Sequence, residues 1–163
     1  MTHSQWYIGA PNGVVLCITD ARNGRLSGRL YHSYSARPQF FDSVDRMITL
    51  MEQLYDMLHF PYPGNSERSF GPAEPVKKVL TKEREKIMDD DSLLRNHGDI
   101  GTFIVRVQHR QNSSWQGRIT WMEQDKTINF RSVWEMVKLI ESAVNTVAPD
   151  EEAETEASWF EEP

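Results

Sequence analysis

Side chains suited to catalysis or metal binding are few and scattered in this chain. The five histidines, His3, His32, His59, His97 and His109, fall in no His-Glu-x-x-His pattern or other recognised ligand spacing. His97 and Asp99 lie near Asp89, Asp90 and Asp91, a group that reads as a solvated acidic loop before it reads as a cation site. Cys17 is the single cysteine, which excludes an intrachain disulfide and a cysteine-based zinc centre. It falls in an expected strand, where a small half-buried residue is a simpler reading than a nucleophile. No Gly-x-Gly-x-x-Gly or Walker loop offers a phosphate cradle, and no serine sits in a Gly-x-Ser-x-Gly elbow. No cofactor, metal site or catalytic residue is assigned. Catalysis by dispersed residues stays open, because triads assemble in space and not along the chain.

Binding chemistry has more to work with. Between Thr102 and Ser132 the bases Arg106, Arg110, Arg118, Lys126 and Arg131 face only Glu123 and Asp125, a local charge of +3. Guanidinium groups grip carboxylates and phosphates bidentately, and arginine-bearing sheets with aromatic neighbours can track a nucleic-acid backbone. An ordinary solvated sheet face is the plainer alternative. A second cluster, Glu154-Thr-Glu-Ala-Ser-Trp-Phe-Glu-Glu-Pro163, sets Trp159 and Phe160 in an acidic segment. Such a segment can dock its aromatics in a pocket or fold back over a basic surface, and the competing reading is a solubilising tail.

The elements that would carry these residues repeat. Shifting the chain by 89 residues aligns 15–53 with 104–142 without a gap and gives nine identities in 39 positions, against roughly two expected from average composition. The identities include Asn23/Asn112, Gly28/Gly117, Arg29/Arg118, Phe41/Phe130 and Ser43/Ser132. Each copy reads as strand, turn, strand, short strand and helix. Phe103, Val105 and Val107 alternate with polar neighbours as in a half-buried strand, and Gly117, Ile119 and Trp121 do so after the Gln111–Ser114 turn cluster. In the first copy Leu16 and Ile18 precede an Asn23-Gly24 hairpin signal, followed by Leu26, Gly28, Leu30 and His32. Ser132 and Glu135 have capping-box spacing, and Ser43 occupies the same place in the first copy. Helices are expected near 43–58 and 132–146, each packed on one face of its own meander. Alternation places Arg106, Gln108, Gln116, Arg118, Thr120, Thr127, Asn129 and Arg131 on the opposite face, with Thr19, Ser27, Arg29, Tyr31 and Asp42 their first-copy companions. If the copies relate by a pseudo-twofold axis, Arg29 and Arg118 can point into one groove.

The run Arg110-Gln-Asn-Ser-Ser-Trp-Gln-Gly-Arg-Ile-Thr-Trp-Met-Glu123, followed by Asn129-Phe-Arg-Ser132 and an apolar helix, resembles a family of small uncharacterised proteins from gut-dwelling Gram-positive anaerobes. The resemblance covers mainly 101–142 and implies bacterial origin, with no activity and no functional residue to carry over.

Composition sets the outer bounds. At 163 residues, 39% hydrophobic and 26% charged, the chain suits one ordinary domain or two very small ones. No apolar run approaches the roughly 20 residues that span a bilayer, and no secretory signal opens the chain. A reducing cytoplasm is the expected compartment, with no membrane partner. Of the net charge of −6, the final segment alone holds seven acids and no base, which leaves the remainder near +1.

The expected architecture is α+β: a duplicated hairpin or meander followed by a helix, in two pseudo-symmetric copies. Residues 1–60 form the first copy, 61–100 a loop plus charged linker helix, 101–147 the second copy and 148–163 an acidic disordered tail. Val76 to about Met88 is the expected linker helix, with Val76, Val79, Leu80 and Ile87 touching the core. The leading function is a non-catalytic protein-binding adaptor or inhibitor, from a phage or other bacterial mobile element. The alternative is a nucleic-acid-binding protein. Arg29, Tyr31, Arg106, Arg110, Arg118, Arg131, Trp159 and Phe160 are the candidate binding residues.

Overall fold

The computed structural model of the chain describes residues 8, 10–22, 24–61, 70–71, 85–111 and 113–147. Its strands are β1 (Val14–Arg22), β2 (Arg25–His32), β3 (Gln39–Phe41), β4 (Gly101–His109), β5 (Gln116–Trp121) and β6 (Lys126–Phe130). Its helices are α1 (Val44–Leu58), α2 (Asp90–Leu94) and α3 (Val133–Val147). All six strands join one antiparallel sheet in the order β3-β2-β1-β4-β5-β6, and the class is α+β. No described helix is long and apolar enough to cross a membrane.

The register explains why certain residues recur 89 positions apart. Val15 pairs with Ile104 at the junction of β1 and β4, and these two are themselves 89 apart. Pairing then runs outward in step on both sides. Gly28 faces Phe41 and Gly117 faces Phe130. Cys17 faces Arg29 and Arg106 faces Arg118. The β1/β2 ladder slips between Ile18 and Asp20, and the β4/β5 ladder slips between Val107 and His109. Both glycines have the same physical reason. A Cβ on Gly28 would lie 2.1 Å from the Cys17 carbonyl oxygen, and one on Gly117 would lie 2.1 Å from that of Arg106. The Phe41 ring lies against the bare backbone of Gly28, and Phe130 is the cross-strand residue at Gly117; both rings are buried.

α1 and α3 pack on one face of the sheet. Leu16, Ile18, Leu30, Phe41, Phe103, Val105, Ile119 and Phe130 meet Met47, Leu50, Leu54, Met136, Val137 and Ile140 in one continuous core. Serine caps both helices: Ser43 Oγ accepts from the Arg46 amide and Ser132 Oγ from the Glu135 amide, each at 3.1 Å. The reciprocal half of the expected capping box lands one residue early, since Glu135 accepts from the amide and guanidinium of Arg131, not from the Ser132 amide. The Asn-Gly hairpin forms as expected: Arg22 pairs with Arg25 across it, and Gly24 has φ of +72°.

Three expectations need correction. The centre of the opposite sheet face is not solvated. Val15, Cys17 and Ile104 are fully buried there beneath Ile8, Leu93 and Met122. The continuous apolar runs Val14–Ile18 and Phe103–Val105 belong to strands covered on both faces. The linker differs as well. Residues 85–88 are not helical; the Ile87 and Met88 amides both donate to the Ser33 carbonyl, and Ile87 is exposed instead of reaching the core. The rest of that expected helix, 76–84, and the acidic segment 148–163 lie outside the described residues. Finally, the acidic cluster holds a turn of helix. Asp89 accepts from the Ser92 amide as the N-cap of α2, and Leu93 drops onto the sheet.

Candidate functional site

The arginines selected from the sequence do not converge. Arg29 donates to the His97 carbonyl at 3.1 Å and its guanidinium lies over the Tyr31 ring, so the linker holds both. Arg106 donates to the Ile8 carbonyl and to Thr120 Oγ1. Arg131 is exposed and pairs with Glu135, whose carboxylate it holds below the usual range. Arg118 stands exposed on β5 between Arg106 and Asn129, with no partner among the described residues. Arg29 and Arg118 therefore share no groove. Trp159 and Phe160 lie outside the described residues.

Arg110 has a different role. It is only 8% exposed and donates to the Pro61 carbonyl, Asp56 Oδ1 and the Tyr55 carbonyl, with its guanidinium over the Tyr55 ring. Tyr55 meets Trp115 edge-on at 5.3 Å. Burial pushes the Tyr55 phenol upward, opposed by Arg110. These contacts join the end of α1 to the β4–β5 connection, so Arg110 is a clamp within the fold.

Cys17 is fully buried, and burial raises its thiol to about 11 despite the nearby Arg29; it is protonated at neutral pH. Among the described residues no three His, Cys, Asp or Glu side chains are grouped to hold a metal ion. His59 and His109 line a polar cleft of about 300 Å³ together with Pro61 and Arg110. The Arg110 guanidinium in that cleft is already engaged.

The better-formed site lies between the β5–β6 edge and the last two turns of α3. It is an apolar groove of about 240 Å³ lined by Phe103, Ile119, Trp121, Ile128, Leu139 and Ala143, with Ser142, Thr146 and Lys126 at its polar edges. That volume exceeds the roughly 150 Å³ of an apolar cavity that accepts benzene. Phe103 and Trp121 stack at 6.5 Å along one wall. The Trp121 indole N–H is buried without an acceptor among the described residues. Ile128 remains 48% exposed although it points to the core side of the sheet. Sequence alternation placed Ile128 on the correct side but did not reveal that it would be left uncovered.

The cause is side-chain volume. Ser142, Ala143 and Thr146 stand 89 residues after Gln53, Leu54 and Met57. On α1, Leu54 is buried and Met57 packs against the core. On α3 the corresponding side chains are too short to reach the sheet edge, and the shortfall is the groove. A comparison of helix residues at the 89-residue offset would have exposed this signal in the sequence.

β6 is one of the two outer strands of the sheet, so among the described residues its outer side is unpaired. No protein-family model, curated protein or solved structure matches this chain.

Proposed function

We propose that the chain is an internal duplication of a β-β-β-α unit whose second copy has been hollowed into a docking site, making it a non-catalytic protein-binding adaptor or inhibitor. Support for the duplication comes from the matched register, the matched ladder slips and the two glycines with the same backbone constraint. The observation that carries the binding function is the groove opened by Ser142, Ala143 and Thr146 where α1 has larger residues. Its ligand is a peptide that presents one large apolar side chain to Trp121 and Ile128. Lys126, the only charged residue among the described ones lining the groove, favours acids beside that anchor. The free edge of β6 offers backbone groups for strand addition next to the pocket, a mode in which main-chain bonds give affinity and side-chain pockets give specificity.

Nucleic-acid binding has less behind it. Four of the five arginines proposed for it, Arg29, Arg106, Arg110 and Arg131, are held by partners within the chain. Only Arg118 remains to meet a phosphate.

The test is a displayed peptide library selected on the full chain carrying Trp159→Ala and Phe160→Ala, so that the chain's own acidic aromatics do not compete. Enriched peptides should carry an aromatic anchor flanked by acids, and they should lose binding when Ala143→Leu and Thr146→Met are added to fill the groove. No enrichment, or equal binding by the filled protein, overturns the groove as the binding site.

A further inference from the structure

Resting on that reading of the groove, we infer that the chain carries its own ligand: the segment 148–163 occupies the groove in cis through Trp159 and Phe160 and must be displaced by a partner.

The first argument is position. Thr146 lines the groove, and Val147, the last residue of α3, is more than half exposed beside it. The segment therefore leaves the fold at the mouth of the site. Twelve residue steps separate Val147 from Trp159, enough to extend about 40 Å. The chain can turn back and still place either aromatic against Trp121 and Ile128.

The second argument is chemistry. Residues 148–163 contain seven acids, no base and two large aromatics side by side. An acidic stretch alone has no use for an apolar groove, but Trp159 and Phe160 do. Either ring fits a site of about 240 Å³, and Glu161 and Glu162 follow immediately to meet Lys126. Charge attraction between such exposed groups is weak and salt-sensitive, so the aromatic supplies the affinity and the acids supply orientation.

The basic sheet face is a poorer receptor. Its centre is already covered by Ile8, Leu93 and Met122, and its arginines are largely engaged. The groove, by contrast, lies next to the origin of the segment.

A short tether gives an effective concentration of about a millimolar, so a cis ligand of about 0.1 mM intrinsic affinity weakens binding in trans by about tenfold. The experiment compares full-length wild type with the Trp159→Ala/Phe160→Ala chain. Amide spectra of the ¹⁵N-labelled proteins should differ at Trp121, Ile128, Ala143 and Thr146. A peptide selected as above should bind the double variant about tenfold more tightly than wild type. Adding Ala143→Leu and Thr146→Met to the wild-type chain should move the Trp159 side-chain resonance to its free position.

Identical groove amides together with equal peptide affinity would overturn cis occupancy and leave the groove as a binding site. Groove differences that grow with protein concentration would place the segment on a second copy and also overturn it. If neither protein binds any selected peptide and the groove amides are identical, the docking function itself falls.

Discussion

In the half built from β1–β3 and α1, the helix sets Leu50, Leu54 and Met57 against the sheet and closes the core. In the half built from β4–β6 and α3, Leu139, Ala143 and Thr146 stand at the corresponding places and a groove is left. The strand register and the glycine close approaches agree between the halves. At the groove Ala143 and Thr146 are smaller than Leu54 and Met57, Leu139 matches Leu50, and β6 runs two residues further than β3. The opposite face diverges in another way. Where β1 has Cys17, buried under the linker, β4 has Arg106, whose guanidinium reaches the Ile8 carbonyl. Both halves end in an outer strand, and the groove lies beside β6.

The comparison breaks first if its shared scaffold is unequal. Phe41→Ala and Phe130→Ala should each destabilise the chain by about 3–5 kcal/mol, because each removes a buried ring at the strand-to-helix junction. Urea unfolding of the two variants measures this, and a cost for Phe130→Ala far below that of Phe41→Ala would mean that the β6 edge is not held as the β3 edge is. The groove residues sharpen the contrast. Leu54→Ala should cost about 2–5 kcal/mol as a cavity in a closed core. Ala143→Leu should change stability by less than about 1.5 kcal/mol, because its methyl groups enter existing space. A large loss from Ala143→Leu would show that the groove cannot take a side chain.

Arg110→Ala comes next, at about 2–4 kcal/mol, since it strands the Pro61 carbonyl and removes the buried cation that pairs with Asp56. Ala21 is the residue 89 positions earlier, so the first half has no equivalent clamp. Equilibrium unfolding that finds Arg110→Ala neutral would remove this contact as the tie between the halves.

Much of the scaffold was legible in the sequence because it is written in local rules. Period-two alternation, Asn23-Gly24, Ser43 and Ser132 act over a few residues, and both long helices fall within one or two residues of expectation. What covers the second sheet face was not legible in the same way. Leu93 and Ile8 lie outside the strands they bury, and a five-residue helix capped by Asp89 leaves only a short pattern. The arginines were easy to count, but their partners were not. Arg29 meets a carbonyl 68 residues away, and Arg106 meets one 98 residues away. The groove was readable in principle at Ser142, Ala143 and Thr146. Identical pairs at the 89-residue offset do not mark it; the size differences at Leu54/Ala143 and Met57/Thr146 do.

The smallest expected effect separates the halves by pH. His32 stands where the second half has Trp121. Its side chain is buried, Nδ1 accepts the Tyr34 amide at 3.0 Å, and burial holds its pKa below the ordinary 6.5. The unfolded chain takes up a proton near pH 6.5, while the folded chain resists until the pH is lower. In that interval the unfolded state binds more protons, so stability falls as pH falls; above 6.5 neither state is protonated and this contribution is flat. Trp121, at the corresponding place in the second half, has no proton to exchange. His32→Asn keeps a short polar acceptor and removes the titration. Thermal unfolding from about pH 7.5 to pH 5 should give a midpoint that drops more steeply for wild type than for His32→Asn, whatever the offset between them. Parallel curves would mean that the imidazole is protonated as readily in the folded chain as in the unfolded one, and the pH contrast between the halves would disappear.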